Sequence, residues 1–534
     1  MSRTPLFGLL RRAAHAAAAA RREGWSIDEA AGRLDRARSD RARRRFLRDA
    51  GIGGISLAVA ACAPRALRPS ADAEVVIVGA GIAGLTAAHR LRQAGVRVRV
   101  IEAQNRIGGR MLSLRDHFPD GQVVELGGEL IDTGHARIRA LAAELGLVLD
   151  DLLDEDPALA TDVWFAEGRS YSEQEIIEAF MPISAAIERD LASLPDEDIT
   201  YRTPGGAEAL DRMSITQWLD AQGLDAQGAS GWLRRLIQVA YTTEMGLECD
   251  RQSALNLITF LDPGTEHFRI FGDSDERFHV RGGNDLIVQG LGRLLDDAIE
   301  TGSVLESVAL TADGVYILSL RRGEATQQVR ARQVILALPF TTLRDVRLEL
   351  PLPVAKLRAI QSLAYGTNAK LMIGFERRVW REHGSNGAVF TDLPLQTTWE
   401  TSRKQPGTHG ILTNFTGGLH GIEIGSGTPK AQADAAAAQL EAVFPGIAAA
   451  RGNAPAVRFH WPSHPWARGS YACFRPGDWT SLRGAMGEQA GRVYFAGEHC
   501  AMDTQGFMEG GVESGETAAG QVLADLGIER RRAA

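Results

Sequence analysis

The sequence predicts an α/β fold in which a Rossmann-like domain is interleaved with a second, α+β domain that would hold a substrate. Three features predict it. A buried strand runs through a glycine-rich turn into a helix over residues 74–94, a second strand ends in an acidic residue at Glu102, and another glycine-rich helix start lies near the far end of the chain.

The chain has 534 residues, room for two interlocked domains behind a leader. Its formal charge is -8, but residues 1–62 carry 13 Arg against 6 Asp and Glu, a local +7 that leaves -15 for the remainder. Such a body is not built to bind nucleic acid. Cysteines stand only at positions 62, 249, 473 and 500, with no C-x-x-C pair, so neither a disulfide framework nor a metal site is expected. Beyond the leader, no stretch offers the roughly 18 uninterrupted apolar residues of a membrane-spanning helix. Lysine is rare: Lys356, Lys370, Lys404 and Lys430 are the only ones among 59 basic residues, so a lysine in an apolar setting raises a question of function.

The leader contains Arg43-Arg44-Arg45-Phe46-Leu47-Arg48 and then a mild apolar run from Ala50 to Ala61. It resembles a twin-arginine export signal, the route for folded, cofactor-loaded proteins. Val59-Ala60-Ala61-Cys62 resembles a lipoprotein cleavage box, which would tether Cys62 to a membrane; the alternative is cleavage near Ala61 or Ala63 and a periplasmic or secreted protein. A third reading keeps the segment as a basic arm. Residues 1–70 are assigned to this leader.

Glu74 to Gly79 reads as the buried strand and Ile82 to Ala94 as the helix. Of the intervening glycines, Gly79 permits the tight turn, Gly81 lets a pyrophosphate approach the backbone, and Gly84 lets helix pack on strand. Val96 to Ile101 is the second strand, and Glu102 is placed to accept hydrogen bonds from an adenosine ribose. NAD and FAD both suit such a start. Near the other end, the strand Arg492–Ala496 leads into Gly497-Glu498-His499 and then Gly506-Phe507-Met508-Glu509-Gly510-Gly511, where a helix to Leu526 begins. Two helix starts suited to negative charge, far apart in sequence, would meet across one extended ligand.

Arg106-Ile107-Gly108-Gly109-Arg110, these terminal glycines and the segment Trp466-Ala467-Arg468-Gly469-Ser470-Tyr471 together resemble the flavin-containing amine oxidase family, which includes monoamine oxidases, polyamine oxidases and L-amino-acid oxidases. The resemblance covers about Glu74 to Leu526. It implies FAD as cofactor, with Gly109, Arg110, Gly128, Trp466, Gly497, Glu498 and Met508 around it and the backbone of Val308 reading the adenine. It also implies domain segments: FAD-binding parts at 72–135, 276–350 and 457–527, and substrate-domain parts at 136–275 and 351–456, helical in the first and mixed in the second. Lys370 matches the lysine that holds a water against the flavin; apolar walls would favour its neutral form. Its alternative is a strand-edge lysine reaching solvent. Tyr471 and Phe507 match the aromatic pair that flanks the substrate amine, unless they are ordinary core residues. Where monoamine oxidases carry the cysteine that bonds the flavin, this chain has Ser470, which implies non-covalent FAD; Cys473 would face the opposite side of a strand. Glu129, and with it Asp132, would reach the cavity to bind a second cationic group, or else lie at the surface.

The activity implied is hydride transfer from the carbon beside an amine to FAD, giving an imine and then aldehyde or keto acid plus ammonia. Dioxygen, yielding hydrogen peroxide, or an electron carrier would reoxidise the flavin. An L-amino-acid oxidase, a flavin-dependent desaturase or dehydrogenase, and a non-catalytic FAD-binding protein are the alternatives.

Overall fold

A computed structural model describes residues 73–154, 158–224 and 230–528. The export signal, the lipidation box at Cys62 and the rest of the leader lie outside the described residues.

The elements that position the site are, in chain order, β1 (Ala73–Val78), α1 (Ile82–Gln93), β2 (Val98–Ile101), α2 (Ala136–Glu144), β3 (Val163–Ala166), β4 (Arg169–Tyr171), α3 (Glu173–Ser193) and α4 (Gly231–Met245). There follow β5 (Ile299–Glu300), β6 (Val304–Leu310), β7 (Tyr316–Arg322), β8 (Ala325–Leu336), β9 (Arg347–Glu349) and α5 (Val354–Ser362). The last are β10 (Ala369–Phe375), β11 (Val389–Thr391), β12 (Thr397–Glu400), β13 (Gly410–Thr416), α6 (Pro429–Leu440), β14 (Ala456–His460), β15 (Val493–Phe495) and α7 (Met508–Leu526).

An eight-stranded sheet has the order β9-β6-β7-β8-β1-β2-β5, with β15 also on β8. Its centre is parallel: Val78 of β1 sits opposite Ile101 of β2 and Leu336 of β8, and Leu336 opposite Phe495 of β15. Strands buried on both faces need continuous apolar runs, and β1 supplies one, with Val75, Val76 and Ile77 fully buried. One face is covered by α1 and α7, whose Ala87, Ala88, Leu91, Ala518 and Val522 share a core cluster with β1.

The second sheet has seven strands in the order β14-β10-β13-β12-β11-β3-β4 and is antiparallel except where β11 meets β3. It joins residues 163–171 to residues 369–460, so the first substrate segment contributes strands as well as helices. Beside it, α3 and α4 share a second core through Phe180, Leu236 and Tyr241. Two expected boundaries move. Helix α2 packs with the nucleotide layer, its Ile138, Leu141 and Ala142 buried against the α1–α7 core. Strand β14 completes the second sheet, so residues 457–460 leave the final FAD-binding segment. An apolar helix face shows that α2 is buried but not against which layer.

Lys356 on α5 is the lysine that sits in an apolar setting. It is 1% exposed, its ammonium lies 3.7 Å from the Phe495 ring centroid, and Nζ donates to the Met486 carbonyl. Burial pushes its pKa down to about 7. The unfolded chain holds that proton up to about pH 10.4, so stability rises between the two values, by about 1.4 kcal/mol per unit. Lys356→Met should therefore raise the melting temperature at pH 7, with the advantage shrinking as the pH approaches 10; a constant difference across that range would contradict this.

Candidate active site

A continuous cleft enclosing about 2070 Å³ of non-protein space, partly open to solvent, is built from both ends of the chain. Gly79 follows β1 with φ of 104°, a conformation that favours glycine, and a Cβ there would lie 2.4 Å from the Ala337 carbonyl oxygen. At Gly84 a Cβ would lie 2.0 Å from the Gly79 carbonyl oxygen, so this glycine lets α1 close onto the turn; it does not line the cleft. Gly81 is different: it lines the cleft, and nothing lies within 4 Å of where its Cβ would be.

Helix α1 starts at Gly81 and α7 at Phe507, neither with a side-chain cap, and both starts line the cleft. Uncapped amides and two positive dipole ends thus converge on one space. The one acid in the first turn of α7, Glu509, is committed elsewhere, accepting from the backbone N–H groups of Arg137 and Ile138 at 3.0 and 2.8 Å. Glu102 lines the cleft after β2, with one oxygen accepting from Ala80 N–H and the other from Gln104 N–H, both at 2.8 Å. Burial raises its pKa and these donors oppose the rise.

Arg110 ties the two ends together. Its Nη1 donates to Glu498 Oε1 at 2.8 Å and to the Ser470 carbonyl at 2.7 Å, while Glu498 Oε2 accepts from Gly506 N–H at 3.1 Å. Gly109, Gly128, Trp466, Gly497 and Met508 also line the cleft. The uncapped helix starts, the space at Gly81, the carboxylate of Glu102 and a mainly apolar wall fit an extended, doubly phosphorylated cofactor with a flat ring, as FAD is.

Lys370, on β10, also lines the cleft and is 5% exposed. Its Nζ donates to Glu129 Oε2 at 2.6 Å, to the Gly127 carbonyl at 2.8 Å and to the Glu125 carbonyl at 3.3 Å. Three acceptors around one nitrogen is the geometry of an ammonium giving all three hydrogens. Lys370 therefore faces a carboxylate rather than the apolar wall expected for it. The other oxygen of Glu129 accepts from Trp399 Nε1 at 2.9 Å and from Thr401 Oγ1 at 2.7 Å. Burial pushes the Glu129 pKa up, but Lys370 and these donors more than offset it, and the net shift is downward. Glu129 is thus committed to the protein, and the expectation that it binds a second cationic group is revised.

Tyr471 and Phe507 both line the cleft. The Tyr471 hydroxyl donates to the Glu244 carbonyl, and burial, then the Glu244 carboxylate, raise its pKa far above the ordinary value, so it stays a donor. The Phe507 ring packs 4.9 Å from that of His135. Ser470 Oγ donates to Asn368 Oδ1 at 2.6 Å, and Cys473 is buried beside Asn256, away from the cleft.

Val308 is a further correction. It lies inside β6 between β7 and β9, opposite Leu318 and Leu348, and does not line the cleft; Ser303, Val304 and Leu305 at the start of that strand do. The strand forms where the sequence predicts it, but the end that opens on the cleft depends on how the sheet is stacked. Trp399, Asp132, Glu244 and Glu276 also line the cleft. No local motif marks Trp399, Glu244 or Glu276: the second sheet brings Trp399 to it, α4 brings Glu244, and a loop held by the Glu276 N–H on Asp132 brings Glu276.

Residues 82–523 match the family model described as flavin containing amine oxidoreductase. An L-amino acid dehydrogenase of Synechocystis sp. is 26% identical over 479 residues, 86% of this chain and 96% of that protein. A flavin-containing amine oxidase of Danio rerio is 24% identical over 474 residues, 85% and 86% of the two chains. Among solved structures, cyclohexylamine oxidase from Brevibacterium oxydans IH-35A superposes with a TM-score of 0.73 at 22% identity, covering 86% of this chain and 100% of its own. Wild-type putrescine oxidase bound to putrescine gives 0.71 at 22% identity, with 85% and 99% covered.

Proposed function

The chain belongs to the flavin containing amine oxidoreductase family, and from that premise we propose that it oxidises an amine lacking an α-carboxylate, with FAD held non-covalently between the two uncapped helix starts. It is an FAD-dependent oxidoreductase acting on amines. FAD, when bound, supplies the two-electron acceptor for the hydride on the carbon beside nitrogen. Tyr471 and Phe507 orient that carbon and exclude water. Lys370, fixed by Glu129, places a positive charge on the cleft wall, where negative charge developing during the reaction is stabilised.

The observation that carries the choice of amine over amino acid is that the arginine and lysine lining the cleft are already paired with carboxylates. Among the described residues Arg110 is the only arginine lining it, and its Nη1 is committed to Glu498 and Ser470, whereas Asp132, Glu244 and Glu276 line it with no arginine or lysine in ion-pair contact among the described residues. Burial raises the pKa of all three, Glu276 to about 8, and the cleft's Arg110 and Lys370 are each paired with a carboxylate, so a substrate carboxylate would find acids there and no cation free of an acidic partner. The relative that is an L-amino acid dehydrogenase supports the competing reading. Anaerobic bleaching by matched pairs, phenethylamine against phenylalanine and cadaverine against lysine, decides between them: the amine of each pair should reduce the flavin faster, and preference for the amino acids would overturn the proposal.

Ser470 supports non-covalent attachment, so acid precipitation should leave a colourless pellet with all flavin in the supernatant; a yellow pellet would refute it. Dioxygen or an electron carrier reoxidises the flavin in this account, and peroxide release tells which. The arginine pair in the leader supports export of the folded, FAD-loaded protein. Replacing Arg43 and Arg44 with lysine should then retain it in the cytoplasm; unchanged export would argue against the route.

A further inference from the structure

We propose that Asp132 accepts the proton of the incoming substrate ammonium, with His135 behind it in contact with both the carboxylate and the Phe507 ring. This rests on the cleft being an amine-oxidising site. An alkyl amine with a pKa near that of lysine, about 10.4, arrives protonated at neutral pH. Its nitrogen then has no lone pair to form the second C–N bond as hydride leaves the α carbon, so a base must first take an N–H proton.

Most charged groups of the cleft are committed. Lys370 already donates three hydrogen bonds, Glu129 serves Lys370, Trp399 and Thr401, and Glu498 serves Arg110 and Gly506. Asp132 lines the cleft and is 1% exposed. Its Oδ1 accepts from Glu276 N–H and its Oδ2 from Ser274 Oγ, each at 2.9 Å, so Oδ1 keeps a lone pair for the proton. His135, also 1% exposed, accepts Asp132's own N–H on Nδ1 at 3.0 Å. Its hydrogen is therefore on Nε2, which faces Asp132 Oδ2 at 3.3 Å, while the ring lies against Phe507.

The charged neighbours agree with this assignment. Asp275 faces Asp132, Glu276 faces both Asp132 and Glu244 and is itself pushed by burial up to about 8, above Asp132, and Arg139 acts on His135. Burial first, and then Asp275, push Asp132 up to about 7, and burial holds His135 neutral, down to about 3. In the step, the substrate's N–H bond breaks and an O–H bond forms on Asp132. The nitrogen lone pair so released becomes the second bond of C=N as the hydride departs with its electron pair, leaving an iminium. A desolvated cleft favours the neutral acid–amine pair over two buried charges.

The test uses the FAD-loaded protein and a primary amine that bleaches it. For the unaltered protein, kcat/KM should be level from about pH 7 to about pH 10, where ionised Asp132 and protonated amine both predominate. Asp132→Asn, able to use only the unprotonated amine, should show kcat/KM rising about tenfold per pH unit over that range. An Asn variant with a level profile of reduced height, or an unaltered protein that itself climbs tenfold per unit, would overturn the proposal. Binding of tert-butylamine, which has no α hydrogen, gives a readout without turnover. Calorimetry at pH 8.5 in buffers of different ionisation enthalpy should find no net proton release for the unaltered protein and about one per amine for Asp132→Asn; equal counts would overturn it. Should Asp132→Asn fail to fold, Ser274→Ala removes a donor to the carboxylate and should move the acidic limb to higher pH; an unmoved limb would overturn it. If no amine bleaches the unaltered protein at any pH, the underlying reading of the cleft fails instead.

Discussion

Gly81→Leu should yield a folded protein that purifies without colour. The Gly81 Cβ position has nothing within 4 Å and Gly81 lines the cleft, so a leucine can be attached there without a Cβ clash and occupies space beside the start of α1 that a pyrophosphate would enter. Affinity for FAD should drop at least about 100-fold, about 2.7 kcal/mol, while the unloaded protein keeps its melting temperature to within a few degrees. Gly84→Val is the contrasting case. Its Cβ would lie 2.0 Å from the Gly79 carbonyl oxygen and 3.2 Å from the Ala337 side chain, so it should lower stability with or without FAD. Equal FAD binding by Gly81→Leu and the unaltered protein would mean that the cofactor lies elsewhere.

Lys370→Met should do two things that can be separated. It strands the Glu129 carboxylate, 8% exposed, without its cation, and breaking a buried pair in this way costs about 3–5 kcal/mol. Glu129 has a folded pKa below its ordinary value. The stabilisation from the pair is thus complete above about pH 4.3 and is lost as the pH falls through the folded pKa, so the gap in melting temperature between Lys370→Met and the unaltered protein should narrow in acid. The variant should also slow flavin reduction by amines about 10²- to 10³-fold, the range for losing one preorganised electrostatic group. Adding Glu129→Gln should restore most of the stability and little of the rate. Recovery of both would make Lys370 a structural residue only.

The parts of this protein that could be read from its sequence are those whose physics is local. A turn that needs a positive φ at Gly79 and a helix packed tightly at Gly84 leave a glycine pattern beside a strand and a helix, and the far motif from Gly497 to Gly511 repeats that logic. The rarity of lysine directed attention to Lys370, and it does line the cleft. What surrounds it could not be read. Lys370 faces Glu129 only because β10 reaches the glycine pair of a segment about 240 residues earlier in the chain, and Trp399 joins them through strand pairing of β12 with β13. The same applies to Val308, whose strand is legible but whose distance from the cleft follows from the stacking of the sheet. His135 carried no motif; its contact with Phe507 arises because α2 docks on the start of α7 through Glu509.

The most direct measurement is an anaerobic titration of the purified yellow protein with a primary amine, following flavin colour and analysing the product. One equivalent of amine should bleach one equivalent of bound FAD and appear as aldehyde and ammonia. A folded protein that binds no FAD, or an FAD-loaded one that no amine reduces, would contradict the account.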